Sequence, residues 1–213
     1  MLIIGLTGSM GMGKSTAAKR FRGHGIPVFD ADAEVHRLYA GEAAPLIEAA
    51  FPGTVADGSV DRKRLGAAVV GDRAALKRLE SIIHPLVREG QRRFIETHSK
   101  AGADLVILEI PLLFETGADD RVDATVVVTA PPDLQRARVL DRPGMTPEKL
   151  EALLSEQMPD DEKRQRADFV VDTSGPVEET GRKIDMIIES LAGREGEAVS
   201  RWLGGAATQQ ERA

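Results

Sequence analysis

The chain has 213 residues, of which 42% are apolar and 29% are charged, a composition typical of a globular protein that buries a core. Its formal net charge of −6 argues against non-specific binding to nucleic acid or membranes, and the lack of cysteine excludes disulfides and thiolate metal sites. The apolar opening MLIIGL is too short for a signal peptide, and no apolar run approaches membrane-spanning length, so we expect a cytoplasmic protein.

The start of the chain predicts a strand, a glycine-rich turn, a helix and a second strand. Residues 2–6 are an apolar run that ends at glycines, as in a strand buried on both faces. A helical pattern begins at Lys14 and ends at Gly23 and Gly25, and the segment IPVF (26–29) indicates the second strand. This βαβ order predicts a parallel sheet.

The middle of the chain, about residues 33–100, is predicted to be a helical insertion. Pro85 interrupts its apolar stripe, which predicts that His84 lies at a helix end or a kink. The elements predicted after the insertion are strands at 104–115, 123–131 and 168–175, a helix from Pro132 to Asp141, a helix capped by Thr146, and an amphipathic helix marked by Ile184, Ile187, Ile188 and Leu191.

The composition changes near residue 193, after which Gly, Ala, Gln and charged residues predominate. This pattern predicts a loosely held tail over 194–213, within which Trp202 could still dock. We therefore expect one domain over residues 1–193, with sheet segments at 1–32 and 104–193 and five strands in all.

Residues 8–15, GSMGMGKS, match the phosphate-binding pattern G-x-x-x-x-G-K-[ST] at every fixed position. Such a loop turns successive backbone N–H groups inward around phosphate oxygens, and the positive end of the following helix adds to the attraction. Lys14 then reaches the β- and γ-phosphates, the Ser15 hydroxyl binds Mg²⁺, and Thr16 serves the α-phosphate side. The alternative is a flexible turn with a chance lysine, but the predicted strand before it and helix after it are the context that the motif requires.

A phosphate loop alone does not separate a GTPase, an ATP-driven motor and a kinase. The segments where a guanine-reading N-K-x-D sequence would fall are VVVTAPPD (126–133) and VVDTSG (170–175), and neither carries it. Motors are as a rule longer chains. A short chain with a helical insertion, and with arginines after the fourth strand, favours a kinase of a small acceptor.

Asp30 and Asp32 are predicted to follow the second strand, at the edge of the sheet where ligands bind in open α/β folds. Phosphoryl transfer needs a group that takes the proton of the acceptor hydroxyl, and a carboxylate is a usual choice. If this segment is extended, the two side chains point to opposite faces, so only one can face the phosphate. The alternative for either residue is a cap on the following helix.

Several further segments, taken with the phosphate loop, resemble the dephospho-coenzyme A kinase family. They are GLTGSMGMGKST, FDAD, SIIHPLVR, IPLLFE, LQRARVLDRPGMT and EKRQRADFVVDTSG, in the family's order and spacing from about residue 2 to 190. The resemblance implies a P-loop kinase fold of the α/β class, a three-layer sandwich around a five-stranded parallel sheet, with a helical acceptor-binding insertion over about 33–100 and a lid over about 136–167. It also implies transfer of the γ-phosphate of ATP, with Mg²⁺, to the ribose 3′-hydroxyl of dephospho-CoA, the last step in making coenzyme A.

On this resemblance Asp32 is the general base on the 3′-hydroxyl, and Thr7 helps to bind the acceptor. His84 and Pro85 lie in the acceptor-binding insertion, and Glu115 falls near the acceptor. Without the resemblance, His84 would be an ordinary helix-end histidine. The ATP-binding residues implied by the resemblance are those of the phosphate loop, Gly11, Met12, Gly13, Lys14, Ser15 and Thr16.

Two clusters of basic residues follow the fourth predicted strand and the helix after it: Arg136, Arg138 and Arg142, then Lys163, Arg164 and Arg166. Guanidinium groups suit the charge that spreads over phosphate oxygens during transfer. The resemblance makes this region a lid over ATP, in which Arg142, as a catalytic residue, and Arg138 contact phosphates. The alternative is a set of solvated helix faces paired with nearby acidic residues, and for Lys163 and Arg164 the two alternatives stay open.

Two other functions remain open at this stage. One is a kinase of another small alcohol, such as a nucleoside or a sugar acid, and the other is a nucleotide-binding regulator, which would have no role for Asp32. The expected partners are ATP and dephospho-CoA, without nucleic acid or membrane, and the expected state is a monomer or weak homo-oligomer.

Overall fold

Strand β1, Leu2–Thr7, is buried along its whole length and lies at the centre of a five-stranded sheet. The computed structural model describes residues 1–204. The chain falls into two compact units: unit 1 is Met1–Phe29 with the chain from Ile95 onward, and unit 2 is Asp30–Phe94.

The strands and helices alternate through most of unit 1, as a parallel sheet requires. The strands are β1, β2 (Val28–Asp30), β3 (Val55–Ala56), β4 (Ser59–Val60), β5 (Leu105–Glu109), β6 (Ala124–Thr129) and β7 (Phe169–Asp172). The helices are α1 (Lys14–Gly23), α2 (Ala31–Tyr39), α3 (Ala44–Ala50), α4 (Arg62–Val69), α5 (Arg73–Lys100), α6 (Pro132–Leu140), α7 (Pro147–Ser155), α8 (Asp160–Arg166), α9 (Val177–Leu191) and α10 (Ala198–Leu203), and a 3-10 turn spans Ala118–Arg121.

The five-stranded sheet has the order β2-β5-β1-β6-β7, and β1 pairs in parallel with both of its neighbours. On one face of the sheet, Ile4 belongs to a core cluster that includes Phe21 of α1 and Ile184 of α9. On the other face, Val127 packs with Leu113 and Phe114. Burial on both faces explains why the central strands are continuous apolar runs. The predicted α/β fold with a five-stranded parallel sheet is confirmed.

Unit 2 has its own apolar core, formed by one face of each of its helices. Leu38 of α2, Ile47 of α3, Leu65 of α4 and Leu79 of α5 are all buried there. The unit also contains a small antiparallel hairpin, β3–β4, that the sequence did not predict. Each of its strands has two residues, which is too short for an alternating pattern to be recognised.

Of the two alternatives predicted for His84, a helix end or a kink at Pro85, the helix end is wrong. Helix α5 runs without a break through both residues, which lie exposed near its middle. Proline costs a helix about 3 kcal/mol because it removes one hydrogen bond and crowds the preceding turn. The apolar stripe of α5, including the buried Leu79 and Ile83 before the proline and the partly buried Leu86 after it, offsets that cost through packing.

The strand predicted over residues 104–115 is shorter than expected. Strand β5 ends at Glu109, and Pro111–Gly117 forms successive turns. Pro111 has no N–H to donate to a neighbouring strand, so the ladder stops before it.

The prediction of a loosely held tail from residue 194 is wrong for the part that the structure describes, and residues 205–213 lie outside that part. Asp123 explains the order, because its side chain caps α10 by accepting hydrogen bonds from the N–H groups of Glu197 (2.7 Å) and Ala198 (2.8 Å). The same carboxylate accepts from the N–H of Ile3 in β1, at 2.8 Å. One carboxylate therefore joins α10 to the central strand.

Trp202 docks as the sequence allowed. Only 9% of it is exposed, its indole N–H donates to the Arg121 carbonyl at 2.8 Å, and the Arg121 guanidinium lies 5.4 Å from its ring centre. In residues 1–204, no helix combines the length and the apolar character needed to cross a membrane.

We predict that Trp202→Ala lowers the free energy of unfolding by about 3 kcal/mol, because it leaves a cavity where the buried indole packs beside Arg121. Trp202→Phe keeps the ring but loses the hydrogen bond, so it should cost only about 1 kcal/mol. Urea denaturation measures both, with Met186→Ala on an exposed face of α9 as the control. If Trp202→Ala and Met186→Ala lowered the free energy of unfolding by the same amount, the docking of Trp202 would be contradicted.

Candidate nucleotide-binding site

Residues 8–13 join the end of β1 to the start of α1 in a conformation that requires glycine at key positions. Gly11 and Gly13 have φ angles of 80° and 85°, which side chains rarely adopt. A Cβ on Gly11 would lie 2.6 Å from Val139, and one on Gly13 would lie 2.9 Å from the Thr173 hydroxyl. Both the backbone conformation and the packing therefore exclude larger residues.

Three consecutive carbonyls of this loop are held by donors from elsewhere in unit 1. The Met10 carbonyl accepts from the Gln135 amide at 2.8 Å, and the Gly11 carbonyl accepts from Arg138 at 3.3 Å. The Met12 carbonyl accepts from the Thr173 hydroxyl at 3.0 Å. Because a trans peptide points its C=O and N–H in opposite directions, fixing these carbonyls also fixes where the following N–H groups point.

The start of α1 completes the loop. Gly13 is its N-cap and offers no side chain to the first N–H groups of the helix, and of these the Thr16 N–H donates back to the Gly13 carbonyl at 3.0 Å. Lys14 and Thr16 are half-buried in the first turn, and Ser15 is exposed between them. Helix N–H donors next to a lysine and hydroxyls form an arrangement suited to a phosphate group.

Met12 contributes to this site through its backbone, whereas its side chain belongs to the core. The side chain is buried, and its sulfur accepts a hydrogen bond from the N–H of Ala130, which follows β6, at 3.0 Å. The residue therefore anchors the loop to a neighbouring strand.

The structure gives the two predicted lid arginines different surroundings. Arg138, on α6, donates to the Thr173 hydroxyl at 3.0 Å and carbonyl at 2.7 Å as well as to Gly11, so its guanidinium supports the loop from outside. Arg142 lies exposed beyond the end of α6, and its side chain has no hydrogen bond or ion pair within residues 1–204. A phosphate contact by either arginine stays a prediction.

Thr7 and Glu115 both hold the turn that follows β5, Thr7 from the end of β1 and Glu115 from within the turn. Thr7, fully buried at the end of β1, donates from its hydroxyl to the Pro111 carbonyl at 3.2 Å. Glu115 accepts from the Lys163 ammonium and from the Met158 N–H, each at 2.8 Å. Burial alone would raise the pKa of the Glu115 carboxyl, but these hydrogen bonds outweigh it and hold the pKa below its ordinary value.

The remaining predicted residues lie in unit 2. Asp30 ends β2 and caps α2, accepting from the Ala33 N–H at 2.9 Å, so the capping alternative holds for this residue. Asp32 is in the first turn of α2 rather than in extended chain, where it is exposed and makes no side-chain hydrogen bond or ion pair with any described residue. His84 and Pro85 are exposed on α5.

Sequence reasoning missed Gln135, and it missed the hydrogen bond by which Thr173 supports the phosphate loop. Both are buried polar side chains whose hydrogen bonds reach the phosphate loop over 125 and 161 residues of chain. The segment VVDTSG gave the only available signal for Thr173, by its position at a strand end. No local pattern marks Gln135.

In the part of the chain that the structure describes, no group of three or more His, Asp or Glu side chains is arranged to hold a metal ion. Mg²⁺ at nucleotide sites commonly takes only one or two protein ligands, with phosphate oxygens and waters as the rest. The exposed Ser15 hydroxyl fits that use.

Comparison with known proteins gives a consistent family. The model of the dephospho-CoA kinase family matches residues 2–179. A dephospho-CoA kinase of Mesorhizobium japonicum is 60% identical over 196 residues, which cover 92% of this chain and 100% of that protein.

Solved structures agree with this result. TT1252 from Thermus thermophilus is 40% identical with a TM-score of 0.78, and the match covers 90% of this chain and 98% of that one. A dephospho-CoA kinase from Campylobacter jejuni is 26% identical with a TM-score of 0.69, covering 89% and 96%.

We predict that Thr173→Val weakens binding of a non-hydrolysable ATP analogue about tenfold, because it frees the Met12 carbonyl and removes an acceptor from Arg138. Thr173→Ser keeps the hydroxyl and should bind within about twofold of the wild type. Isothermal titration calorimetry measures both affinities. Equal affinities for the valine and serine variants would show that the loop does not need this hydroxyl.

A second prediction concerns pH and Glu115. Because its pKa is lower in the folded than in the unfolded chain, its ionisation stabilises the fold above the ordinary value of about 4.3, and this is lost as pH falls through the folded value. Glu115→Gln should cost about 3 kcal/mol of unfolding free energy at neutral pH, and its difference from the wild type should shrink in acid.

Denaturation with urea at several pH values measures this difference. Glu162→Gln, an exposed carboxylate on α8, is the matched control and should show no such trend. If the difference in unfolding free energy between Glu115→Gln and the wild type stayed constant as the pH was lowered, the stabilising role of the ionised carboxylate would be contradicted.

Proposed function

The chain belongs to the dephospho-CoA kinase family and is a kinase, and from this premise we propose how its residues divide the transfer of phosphate from ATP to the ribose 3′-hydroxyl of dephospho-CoA. ATP binds through the phosphate loop of unit 1, and the family motifs indicate the general base, Asp32, and the acceptor-binding residues. The observation that supports this most directly is the set of three loop carbonyls held outward by Gln135, Arg138 and Thr173.

The loop binds the donor end of the reaction. N–H groups of the phosphate loop and of the first turn of α1 surround the β- and γ-phosphates, and the Lys14 ammonium neutralises charge on them. The Ser15 hydroxyl would hold Mg²⁺, which would supply further charge neutralisation when bound. Arg142 is exposed and unpaired within residues 1–204, and we assign it to the phosphate oxygens during transfer.

Asp32 is the general base. Its carboxylate takes the proton of the 3′-hydroxyl while the 3′-oxygen bonds to the γ-phosphorus, and the bond from that phosphorus to the bridging oxygen breaks to release ADP. Its exposure and its lack of an ion pair within residues 1–204 leave the carboxylate available for this task.

The acceptor-binding residues are those that the family motifs indicate. His84 and Pro85, exposed on α5, contact dephospho-CoA, and Thr7 and Glu115 shape the acceptor side of unit 1 through the turn after β5. Both substrates are small molecules in solution, so the reaction needs no nucleic acid, membrane or obligate oligomer, and we place the enzyme in the cytoplasm.

We predict that Asp32→Asn lowers turnover with dephospho-CoA at least about a hundredfold, because the amide cannot accept the proton. Binding of a non-hydrolysable ATP analogue should stay unchanged, since the loop is intact. Asp57→Asn is a matched control: it lies exposed in the β3–β4 turn of the same unit, with a φ of 50° that asparagine tolerates.

A coupled assay of ADP release, run with dephospho-CoA, adenosine and gluconate as separate acceptors, measures the activity. The expected result is that ADP is released with dephospho-CoA and not with adenosine or gluconate. Release with another acceptor only would identify a different small-alcohol kinase, and slow release that needs no acceptor would identify a nucleotide-binding regulator. Full turnover by the Asp32→Asn variant would remove Asp32 from the mechanism.

A further inference from the structure

Lys163, on α8, is a fully buried lysine behind the phosphate loop. None of its side chain is exposed, and its ammonium lies 2.8 Å from Glu115 Oε1 and 3.4 Å from the Ser9 hydroxyl oxygen. Ser9 is the second residue of the phosphate loop and is itself buried. A single cation thus contacts the loop after β1 and the turn after β5.

Stability alone does not account for this pair. A buried lysine and glutamate lose their hydration, and apolar residues of similar volume are often as stable or more stable in the same place. The second oxygen of Glu115, Oε2, is also buried and has no hydrogen-bond partner among the described residues. A pair kept only for stability would be expected to satisfy both carboxylate oxygens.

The segment around Lys163 is attached to three strand ends. The Met158 N–H donates to Glu115 at 2.8 Å, and Asp160 accepts from the hydroxyl of Thr129, the last residue of β6, at 2.6 Å. Together with Lys163, these contacts join the segment to the chain that follows β1, β5 and β6. In parallel sheets this is the edge where ligands bind.

These contacts argue that α8 does not move with the lid predicted over about residues 136–167. The region 136–167 includes α8, but α8 carries a fully buried lysine and polar contacts to the sheet edge. Buried polar contacts of this kind hold an element in one position, because breaking them leaves charged groups without partners. Helix α8 is therefore part of the framework of the site.

We propose that Lys163 is a positioning residue for phosphoryl transfer, holding Ser9 of the phosphate loop and the Glu115 turn at a fixed separation. The inference rests on the proposed function, since it concerns the same ATP site. Full burial keeps Lys163 from touching a substrate, so it acts through the loop. Displacement of a reacting group by about 1 Å is enough to cost as much as a hundredfold in rate.

The test is to replace the whole pair with apolar residues of similar length. Lys163→Met alone leaves Glu115 buried without its partner, and we expect it to lose both thermal stability and activity. The double variant Lys163→Met with Glu115→Met removes both charges, so its Tm should return to within about 2 °C of the wild type. Its kcat should nevertheless stay about tenfold or more below the wild type, and its affinity for a non-hydrolysable ATP analogue about threefold below.

A purely structural role predicts the opposite result for the double variant. If its kcat and analogue affinity recover to within about twofold of the wild type together with its Tm, the proposal is wrong. Gln165→Met, an exposed position two residues along α8, is the control for methionine on this helix and should change neither quantity.

A third variant covers the case in which the double variant does not fold. Ser9→Ala removes the hydroxyl that Lys163 contacts without changing any charge, and we expect a fall in kcat of about threefold or more at unchanged Tm. Unchanged kcat and unchanged analogue affinity in Ser9→Ala would overturn the proposal. The analogue affinity needs no acceptor, so it still decides the role of Lys163 if wild-type assays show that dephospho-CoA is the wrong acceptor.

Discussion

The outward hydrogen bonding of three peptide carbonyls is the constraint on which the nucleotide site depends. If the carbonyls of Met10, Gly11 and Met12 were free to rotate inward, they would present oxygen to a phosphate and repel it. Their donors come from α6 and from the residue after β7, both far along the chain. The anion site is therefore a property of the assembled unit 1, although its sequence motif occupies only a few consecutive residues.

The same donors explain why buried polar side chains are retained beside this loop. Gln135 and Thr173 lose hydration when they are buried, and the loop carbonyls would lose theirs as well. Each hydrogen bond between them offsets both losses at once, so loop and support are stable only together. The buried methionine sulfur that accepts from Ala130 extends this coupling to β6.

The parts of this protein that could be predicted are those encoded by neighbouring residues. Apolar runs gave the strands, glycine and lysine spacing gave the phosphate loop, and the βαβ order gave the parallel sheet. Several of the failures come from contacts between distant residues. Pro85 was expected to end or kink a helix because its local cost was visible, whereas the partners against which Leu79 and Ile83 pack were not.

The end of the described chain shows the same limit. Its composition alone predicts a loose tail, and no local pattern reveals that Asp123 caps α10 from a position more than seventy residues earlier. The roles of Thr173 and Gln135 were missed for the same reason, since their partners lie over a hundred residues away. Caps and supports of this kind become visible only in the folded structure.

Two carboxylates indicated by family motifs, Asp32 and Glu115, illustrate how surroundings limit chemistry. Glu115 is bound to the buried Lys163 and has a lowered pKa, so accepting a proton would cost it a charge-assisted hydrogen bond. Such a group is a poor general base at neutral pH. Asp32 is exposed and without an ion pair in residues 1–204, so it bears no such cost. Of these two carboxylates, the physical setting thus favours Asp32 for proton transfer and Glu115 for holding structure.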